Sequence, residues 1–270
     1  MRLPVLVFDI ETVTDLKAGA HLHGLEGLSE EDVGHALTKL RRQESGTDFQ
    51  RLPLHEIVCI SGLWVDEKGF RLFSFSQNDN TETEILQKFL SIFQKRRPVL
   101  VSWNGLQFDL PVISYRALYH GLSAPNLFDQ GELNQQRRFS NYQNRYHHQH
   151  VDLMDVMAVF NGRNFQKLDD VAQFLGLPGK REKISEHISS YIQKNAWDQL
   201  EAYCEGDVLN TWLIYLRWSL LKGQLSSIDH LKAVQQTIEY LTNLSKHQQF
   251  LKDWEHSAQS TTFSSTFFLK

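Results

Sequence analysis

The sequence predicts an α/β fold in which helices flank a mixed β-sheet. Apolar runs at 3–9, 56–65 and 98–103 have the composition of buried strands, and 70–75 alternates as a hairpin partner would. Most of the second half shows helical spacing instead. Strands followed by a strand–helix–strand passage and then by helices favour a mixed sheet covered by helices.

Helices are indicated by caps and by apolar spacing. Residues 12–53 are otherwise polar and irregular, but Ser29 and the acids that follow it predict a helix at 29–43. Thr81 caps a helix that reaches about residue 95, and another helix begins near Asp109. Further helices are predicted at 151–160, 167–175, 184–194, 197–222 and 227–256. The segment 129–150 is rich in Gln, Asn, Arg, Tyr and His without a period, which predicts a mobile loop.

The composition is that of an ordinary soluble globular protein, with 41% hydrophobic and 22% charged residues in a chain of 270. The net charge of −4 does not point to a polyanionic partner, although metal-binding carboxylates count as negative until their cations arrive. Cys59 and Cys204 are expected to be reduced core thiols of a cytosolic protein, with a disulfide as the alternative. Asp9 follows too soon for a signal peptide, and no apolar run approaches membrane-spanning length. We therefore predict a cytoplasmic protein without membrane contact.

The first strand is predicted to end in the two carboxylates of Asp9 and Glu11. Strand side chains alternate between faces, so both carboxylates project from the same side. Like charges so close together repel, and such a pair is usually tolerated because a cation lies between its members. The stretch therefore predicts a metal site whose remaining ligands come from elsewhere in the chain.

Two later segments offer further ligands. Asn104 follows a buried strand and leads to Asp109, for which a helix N-cap role is an equally good explanation. Tyr203 and Asp207 are four residues apart on one helix and share a face. Asp207 borders apolar residues, so its carboxylate needs a partner, which a cation, an arginine or a cap would supply. Gly206 costs the helix about 1 kcal/mol relative to alanine, which indicates a close approach to the backbone.

These segments form one ordered pattern: D-x-E at the end of a strand, N-x-x-x-F-D at a strand-to-helix junction, and Y-x-x-x-D on a late helix. The pattern resembles the three-motif signature of DEDD 3′→5′ exonucleases, in the branch that carries a tyrosine. More closely, residues 3–222 resemble small stand-alone bacterial proteins described as predicted exonucleases related to the exonuclease domain of family B DNA polymerases. This closer resemblance rests on Asp152-Leu153-Met154-Asp155-Val156, Leu168-Asp169-Asp170-Val171-Ala172, Leu177-Pro178-Gly179-Lys180 and residues 203–211. After Lys180 the chain is shorter than the family pattern.

The resemblance implies a ribonuclease H-like fold, with a mixed central sheet and helices on both sides. This domain would occupy residues 1–222, followed by a helical extension at 223–257 and a disordered tail at 258–270. The residues left over could not build the palm and thumb domains of a polymerase. We therefore expect an exonuclease domain without an attached polymerase.

The same resemblance implies two divalent cations, Mg²⁺ or Mn²⁺, which hard carboxylate ligands also favour. Asp9, Glu11 and Asp207 would hold the ion that activates the attacking water. Asp9 would bridge to the second ion, and Asp109 would reach that ion directly or through water. Tyr203 is expected to orient the water, because a phenol with a pKa of about 10 is a poor base at neutral pH.

Several polar and aromatic residues are candidates for contact with nucleic acid. Near the carboxylates these are Asn104, the backbone of Thr12, and Phe108, which is expected either to stack on terminal bases or to lie in the core. In the predicted loop, cations interleave with aromatics as in single-strand-binding proteins; the residues are Arg137, Arg138, Tyr142, Arg145 and Tyr146. A second basic cluster comprises Lys180, Arg181 and Lys183. A solvated surface is the alternative for both clusters.

Other residues have simpler explanations than chemistry. The histidines His147, His148 and His150 lack the further partner that a zinc site requires. Capping and the helix dipole explain the acids at helix starts, which are Asp152, Asp155, Asp169 and Asp170. Glu205 lies about 200° around the helix from Asp207, so we exclude it as a ligand.

The sequence therefore predicts a metal-dependent exonuclease that hydrolyses phosphodiester bonds at the 3′ end of single-stranded DNA or RNA. Its expected partner is this nucleic acid. One alternative is a catalytically silent ribonuclease H-like module that binds nucleic acid or a protein partner. Another is that the acids serve only as caps and surface charges. A response of thermal stability to metal would separate these alternatives.

Overall fold

A five-stranded mixed sheet lies at the centre of the structure, a computed structural model that describes residues 3–179 and 188–260. The strands are β1 (Val5–Thr14), β2 (His55–Asp66), β3 (Gly69–Ser76), β4 (Val99–Ser102) and β5 (His150–Asp152). Their order is β3-β2-β1-β4-β5. The pairs β1–β2 and β2–β3 are antiparallel, whereas β1–β4 and β4–β5 are parallel. The predicted fold class, a mixed sheet flanked by helices, is confirmed.

Helices cover both faces of this sheet. In the described part of the chain they are α1 (Leu16–His23), α2 (Glu30–Ser45), α3 (Glu82–Lys95), α4 (Asp109–Tyr119), α5 (Pro125–Phe128), α6 (Leu153–Met157), α7 (Leu168–Phe174), α8 (Ile188–Gln193), α9 (Trp197–Leu221), α10 (Ser227–Thr242) and α11 (Gln248–Ser260). The predicted caps of α2 and α3 are confirmed: Ser29 accepts from the N–H of Asp32, and Thr81 forms a capping box with Glu84. None of the described helices is both long and apolar enough to cross a membrane.

Several elements differ from the sequence prediction, and three of them show why. The first is α1, in a stretch predicted to be irregular, where Asp15 accepts a hydrogen bond from the N–H of Ala18. The second is β5, which replaces the start of a predicted helix because its residues pair with β4, a contact that no local period reveals. The third is the helix predicted at 227–256, which is interrupted between α10 and α11 by a 3-10 turn at Ser245–His247.

Some predictions concern the ends of the described ranges. The basic cluster of Lys180, Arg181 and Lys183 lies outside the described residues, as do the first residues of the helix predicted at 184–194. Within the predicted tail, α11 continues to Ser260, and residues 261–270 are outside the described part.

Strand β1 is longer than predicted, and this changes the setting of its carboxylates. It continues to Thr14, so Asp9 and Glu11 lie within the strand and not at its end. Pairing with β2 extends along the whole strand, with a register shift between Glu11 and Thr12, whereas pairing with β4 stops at Val7. From Asp9 onward, β1 is therefore paired on one edge only among the described strands.

The two faces of the sheet are buried in separate clusters. Val5 and Val7 of β1 face a cluster that contains α9 and apolar residues of α10 and α11. Leu6, Phe8 and Ile10 face the opposite cluster, which contains α3 and α4. Because strand side chains alternate, Asp9 and Glu11 continue the face that points toward α9. The extension packs into the same cluster as α9, and the domain division at 222 stays a prediction.

A buried ion cluster fixes α4 relative to its neighbours. Arg116 of α4 is 2% exposed and binds the carboxylates of Glu82 in α3 and Asp15, the cap of α1. Its guanidinium also donates to the carbonyl of Pro53, and His120 approaches Glu82 at 2.7 Å. The cluster joins α1, α3 and α4 beneath the end of β1.

Candidate active site

The two β1 carboxylates lie against one side chain of α9. Asp9 and Glu11 are half-buried. One carboxylate oxygen of each and the Cys204 sulfur all lie within 4.8 Å of one another. The Cys204 thiol is 3.5 Å from the Asp9 carbonyl oxygen and 3.7 Å from its Oδ2. The structure thus brings the first motif and the α9 motif together.

Cys204 fits this place as a thiol and not as a thiolate. Its side chain is buried beside Cys59, and both cysteines are free, as expected. Burial raises the pKa of Cys204 well above its ordinary value, and the neighbouring Cys59 and the charges of Asp9 and Glu11 act in the same direction. A neutral thiol is a weak ligand, which leaves hard carboxylate oxygens as the donor set. Such donors fit Mg²⁺ or Mn²⁺ better than zinc.

Tyr203, Asp207 and Cys204 lie on one side of α9. At 100° per residue, Asp207 lies between Tyr203 and Cys204 around the helix, and Cys204 is the residue whose contact with β1 orients this side. Asp207 is 7% exposed and Tyr203 is half-buried. The predicted ligand and the predicted water-positioning residue therefore share the helix side on which Cys204 contacts Asp9, although the carboxylate of Asp207 is not among the atoms that lie within 4.8 Å of one another.

Glu205 points away from this group, in keeping with its exclusion as a ligand. It is 5% exposed and accepts hydrogen bonds from Ser74 on β3 and from His247, each at 2.7 Å. Lys246 lies 3.2 Å away. Burial acts to raise the pKa of Glu205, but the hydrogen bonds from His247 and Ser74 and the charge of Lys246 outweigh it and lower the pKa. This glutamate ties α9 to the C-terminal extension.

Gly206 lies at a turn of α9 where a side chain would meet no described neighbour. Among the described residues, nothing lies within 4 Å of the place where a Cβ would be. The backbone itself is approached at its carbonyl, which accepts a hydrogen bond from Nδ2 of Asn210 at 3.0 Å.

Asp109 lies at the open edge of β1, outside the group of Asp9, Glu11 and Cys204 atoms that are within 4.8 Å of one another. It is the first residue of α4 and is 3% exposed, and Phe108 occupies the N-cap position, so the capping alternative is wrong. Burial, and next the charge of Asp152, raises the pKa of Asp109 to about 8. Its own N–H and that of Ile10 act in the opposite direction by hydrogen bonding. The contact with Ile10 places this carboxylate beside β1, between Asp9 and Glu11 in sequence.

The turn that leads to Asp109 is held by Asp152, for which the sequence predicted only a capping role. Asp152 at the end of β5 accepts hydrogen bonds from the N–H groups of Asn104 at 2.9 Å and Leu106 at 3.0 Å. Asn104 has a positive φ of 66°, and a Cβ on Gly105 would lie 2.3 Å from the Ser102 hydroxyl. Asp152 also caps α6, the role that its sequence position explained. Its second role depends on the pairing of β4 with β5, which was not predicted.

We expect Asp109→Asn to stabilise the metal-free protein at neutral and mildly alkaline pH. Between the ordinary pKa of 3.8 and about 8, folded Asp109 keeps a proton that the unfolded chain releases. The free energy of unfolding of the wild type therefore falls as pH rises through this window. Asparagine does not ionise, so its advantage should grow with pH and exceed about 2 °C in Tm near pH 8.

Thermal unfolding in EDTA at several pH values measures this difference. Asp198→Asn, an exposed acid at the start of α9, serves as the control and should show no comparable trend. An Asp109→Asn variant that is less stable than the wild type near pH 8 would contradict the stated electrostatic setting.

Thr12 and Phe108 form one border of the group. The Thr12 hydroxyl is 2.9 Å from Nδ1 of His55, whose Nε2 is 3.2 Å from the carbonyl of Gln50. A carbonyl can only accept, so Nε2 carries the proton and Nδ1 accepts from Thr12. Phe108 is half-buried and its ring contacts His55 and the exposed Phe49, with centroids 5.1 Å and 5.6 Å away. Part of Phe108 is in the core and part remains accessible.

The loop residues predicted to bind nucleic acid are mostly engaged within the protein. Tyr142 is 2% exposed and its hydroxyl donates to the carbonyl of Pro98 at 2.9 Å, so the base-stacking role predicted for it is wrong. Arg137 donates to the carbonyl of Asn126 and lies 3.4 Å from Asp129, which turns it inward from the predicted phosphate contact.

The rest of this segment is irregular but packed. Arg138 is exposed, and Arg145 forms an ion pair with Asp155. His150 is buried against Ser102 at 2.7 Å, and burial lowers its pKa to about 4, in keeping with the rejection of a zinc site. These contacts tie the segment to β4 and α6, in contrast to the mobile loop that was predicted.

A family model described as "predicted 3′-5′ exonuclease related to the exonuclease domain of PolB" matches residues 47–258, which is more than half of the chain. The chain belongs to this family. The resemblance inferred from the motifs is thus confirmed for this PolB-related exonuclease family. The matched range begins after β1 and does not include Asp9 or Glu11. The choice of these two residues as candidate ligands therefore rests on the sequence motif and on the geometry described above.

This PolB-related family member matches short segments of much longer polymerases, so it spans only a small part of these relatives. A DNA polymerase of Pyrococcus glycovorans is 30% identical over 100 residues, 34% of this chain and 12% of the polymerase. The catalytic polypeptide of DNA polymerase epsilon from Dictyostelium discoideum is 43% identical over 47 residues, 17% of this chain and 2% of that polypeptide. The solved family B DNA polymerase of the hyperthermophilic archaeon Pyrobaculum calidifontis matches with a TM-score of 0.49 and 19% identity, covering 82% of this chain and 25% of that one.

Proposed function

We propose that this protein is a two-metal-dependent 3′→5′ exonuclease that hydrolyses phosphodiester bonds at the 3′ end of single-stranded DNA or RNA. The observation that carries the proposal is the meeting of three segments at one place. Asp9 and Glu11 lie on the part of β1 that is paired only with β2, and they face Cys204 on the side of α9 that also carries Tyr203 and Asp207. Asp109 reaches the backbone of Ile10. Carboxylates gathered in this way repel one another unless cations bind between them.

We propose that Asp9, Glu11 and Asp207 hold one Mg²⁺ or Mn²⁺ ion, and that Asp9 and Asp109 hold a second. When bound, the two ions would lower the pKa of the attacking water and stabilise charge on the attacking and leaving oxygens. Burial and the charge of Asp152 raise the pKa of Asp109, so its carboxylate is disfavoured in the absence of a cation. A divalent cation bound there would reverse this by compensating the buried negative charge.

The remaining residues position the substrate in this proposal. Tyr203 orients the attacking water through its hydroxyl, and Asn104, the Thr12 backbone and Phe108 contact the terminal nucleotide. The hydrogen bond from Thr12 to His55 fixes the chain just beyond Glu11, which supports a positioning role for that segment. We also propose a cytoplasmic location, with support from the two free, buried cysteines.

A panel of 5′-labelled DNA and RNA oligomers tests this function. We expect a ladder of shortening products in Mg²⁺ or Mn²⁺, and no products in EDTA. Labelling at the 5′ end distinguishes removal of nucleotides from the 3′ end, which gives a ladder, from removal at the 5′ end, which releases the label at once.

Thermal unfolding with and without Mn²⁺ accompanies the panel. A rise in Tm with Mn²⁺ but no cleavage of any oligomer would favour the catalytically silent nucleic-acid-binding module. If the protein cleaves no oligomer and its Tm does not respond to metal, the view that the acids are only caps and surface charges is favoured.

A further inference from the structure

An exposed aromatic and cationic cluster lies beyond β5. Tyr146 is 66% exposed, and its ring lies edge to face with that of half-buried Phe160 at a centroid distance of 4.9 Å. The Arg145 guanidinium lies 5.2 Å from the Phe160 ring and 5.9 Å from the Tyr146 ring. We call Arg145, Tyr146 and Phe160 the Tyr146 cluster.

The Tyr146 cluster is held in place by the backbone and by one ion pair. Arg145 binds both carboxylate oxygens of Asp155 and donates to the Phe160 carbonyl at 3.2 Å. Val159 and Phe160 both have positive φ, 52° and 60°, a conformation that is rare for β-branched and aromatic residues. Val159 is 78% exposed, so no buried contact of its side chain explains this strain. Strain of this kind recurs where a protein holds a side chain ready for a ligand.

The sheet register relates the cluster to the candidate active site. Strands β1, β4 and β5 are parallel, so their carboxyl ends meet at one edge, with Ser102 opposite Asp152 and Asp9 two residues past the last β1–β4 pair. Adjacent strands are about 4.8 Å apart, which puts the end of β5 about 10 Å from Asp9. Hydrogen bonds continue outward from there, because Asp152 accepts from the N–H of Asp155, the partner of Arg145.

We propose that Tyr146 stacks on a base of single-stranded nucleic acid a few nucleotides upstream of the bond that is cleaved. This inference rests on the proposed function and adds a substrate contact on a surface that the terminal nucleotide does not reach. The exposed ring provides the stacking face, Phe160 supports it from the side, and Arg145 fixes both. Stacking on an aromatic side chain tolerates any base, so the contact contributes affinity without sequence preference.

Binding and cleavage of short and long oligomers test the proposal. Anisotropy of labelled DNA and RNA of about eight nucleotides, with Ca²⁺ in place of Mg²⁺, should show Tyr146→Ala binding about 5- to 100-fold more weakly than the wild type. Tyr146→Phe keeps the ring and should bind as the wild type does. Phe139→Ala, which removes an 83% exposed aromatic ring from the same segment, should leave binding unchanged.

Cleavage separates a substrate contact from a structural role. With Mg²⁺, Tyr146→Ala should raise KM for the eight-nucleotide oligomer and leave its kcat unchanged. On a dinucleotide, the variant should have the same kcat and KM as the wild type. Three results would overturn the proposal. The first is an equal loss of kcat/KM by Tyr146→Ala on the dinucleotide and on the eight-nucleotide oligomer. The second is an affinity of Tyr146→Ala for that oligomer equal to that of the wild type, and the third is a wild type that binds neither the DNA nor the RNA oligomer. If the wild type binds but cleaves nothing, the exonuclease function fails, while the binding series still decides the role of Tyr146.

Discussion

Asp9→Asn is expected to abolish nuclease activity while leaving the protein folded. In the proposed site Asp9 would be the ligand shared by both cations, so its loss should weaken the binding of both. Charge stabilisation by a bound cation is worth several kcal/mol in the transition state. At about 1.36 kcal/mol for each tenfold, kcat should fall about 10³-fold or more. Asparagine has the same shape, still accepts from the Cys204 thiol, and removes repulsion from Glu11. The metal-free variant should therefore be at least as stable as the wild type.

Initial rates on a 5′-labelled oligomer in Mg²⁺, together with Tm in EDTA and in Mn²⁺, measure these effects. The variant should also lose most of the Tm increase that Mn²⁺ gives the wild type. Asp198→Asn, which removes an exposed charge from the first turn of α9, should change neither rate nor metal response. Activity of Asp9→Asn within about tenfold of the wild type would exclude Asp9 as the bridging ligand.

Arg116→Met is expected to cause a larger loss of stability than any other substitution described for this chain. The arginine is 2% exposed, and its removal leaves the carboxylates of Glu82 and Asp15, 6% and 5% exposed, without their cation. Breaking a buried ion pair from one side costs about 3–5 kcal/mol of unfolding free energy. The N–H of Ile57 also donates to Glu82, so the effect should reach the start of β2.

Urea unfolding of the wild type and the variant measures this loss. Arg71→Met is the matched control, because Arg71 is 73% exposed and lies 3.6 Å from Asp66 in an ion pair at the surface. Its removal should cost less than about 1 kcal/mol. Similar losses for the two variants would mean that the buried cluster does not hold α4 in the way that its contacts indicate.

The candidate ligands could be chosen from the sequence because residue type and spacing are local properties. Asp9 and Glu11 alternate along a strand, and Tyr203 and Asp207 share a helical face, whatever surrounds them. Their surroundings depend on pairing between distant segments. The unpaired edge of β1 exists because β4 is short, and no residue near Asp9 signals the length of β4.

The same limit explains the elements that were missed. Strand β5 has three residues and its identity comes from β4, so the sequence predicted a helix there and assigned Asp152 only a capping role. Tyr142 has the composition of a loop aromatic, but its ring fills the cluster behind β4, which only the packed structure reveals. Long periodic elements with clear caps, such as α3, were predicted well because their signals are within the segment itself.

The five residues from Tyr203 to Asp207 impose a fixed helical phase on α9. Cys204 contacts Asp9, Tyr203 and Asp207 share the helix side of Cys204, and Glu205 on the far side binds Ser74 and His247. Inserting or deleting one residue upstream in α9 would rotate all of these side chains by about 100° relative to the sheet. Length changes in this region should therefore be confined to the segments before α9 and after it, whereas substitutions on its exposed positions are free to accumulate.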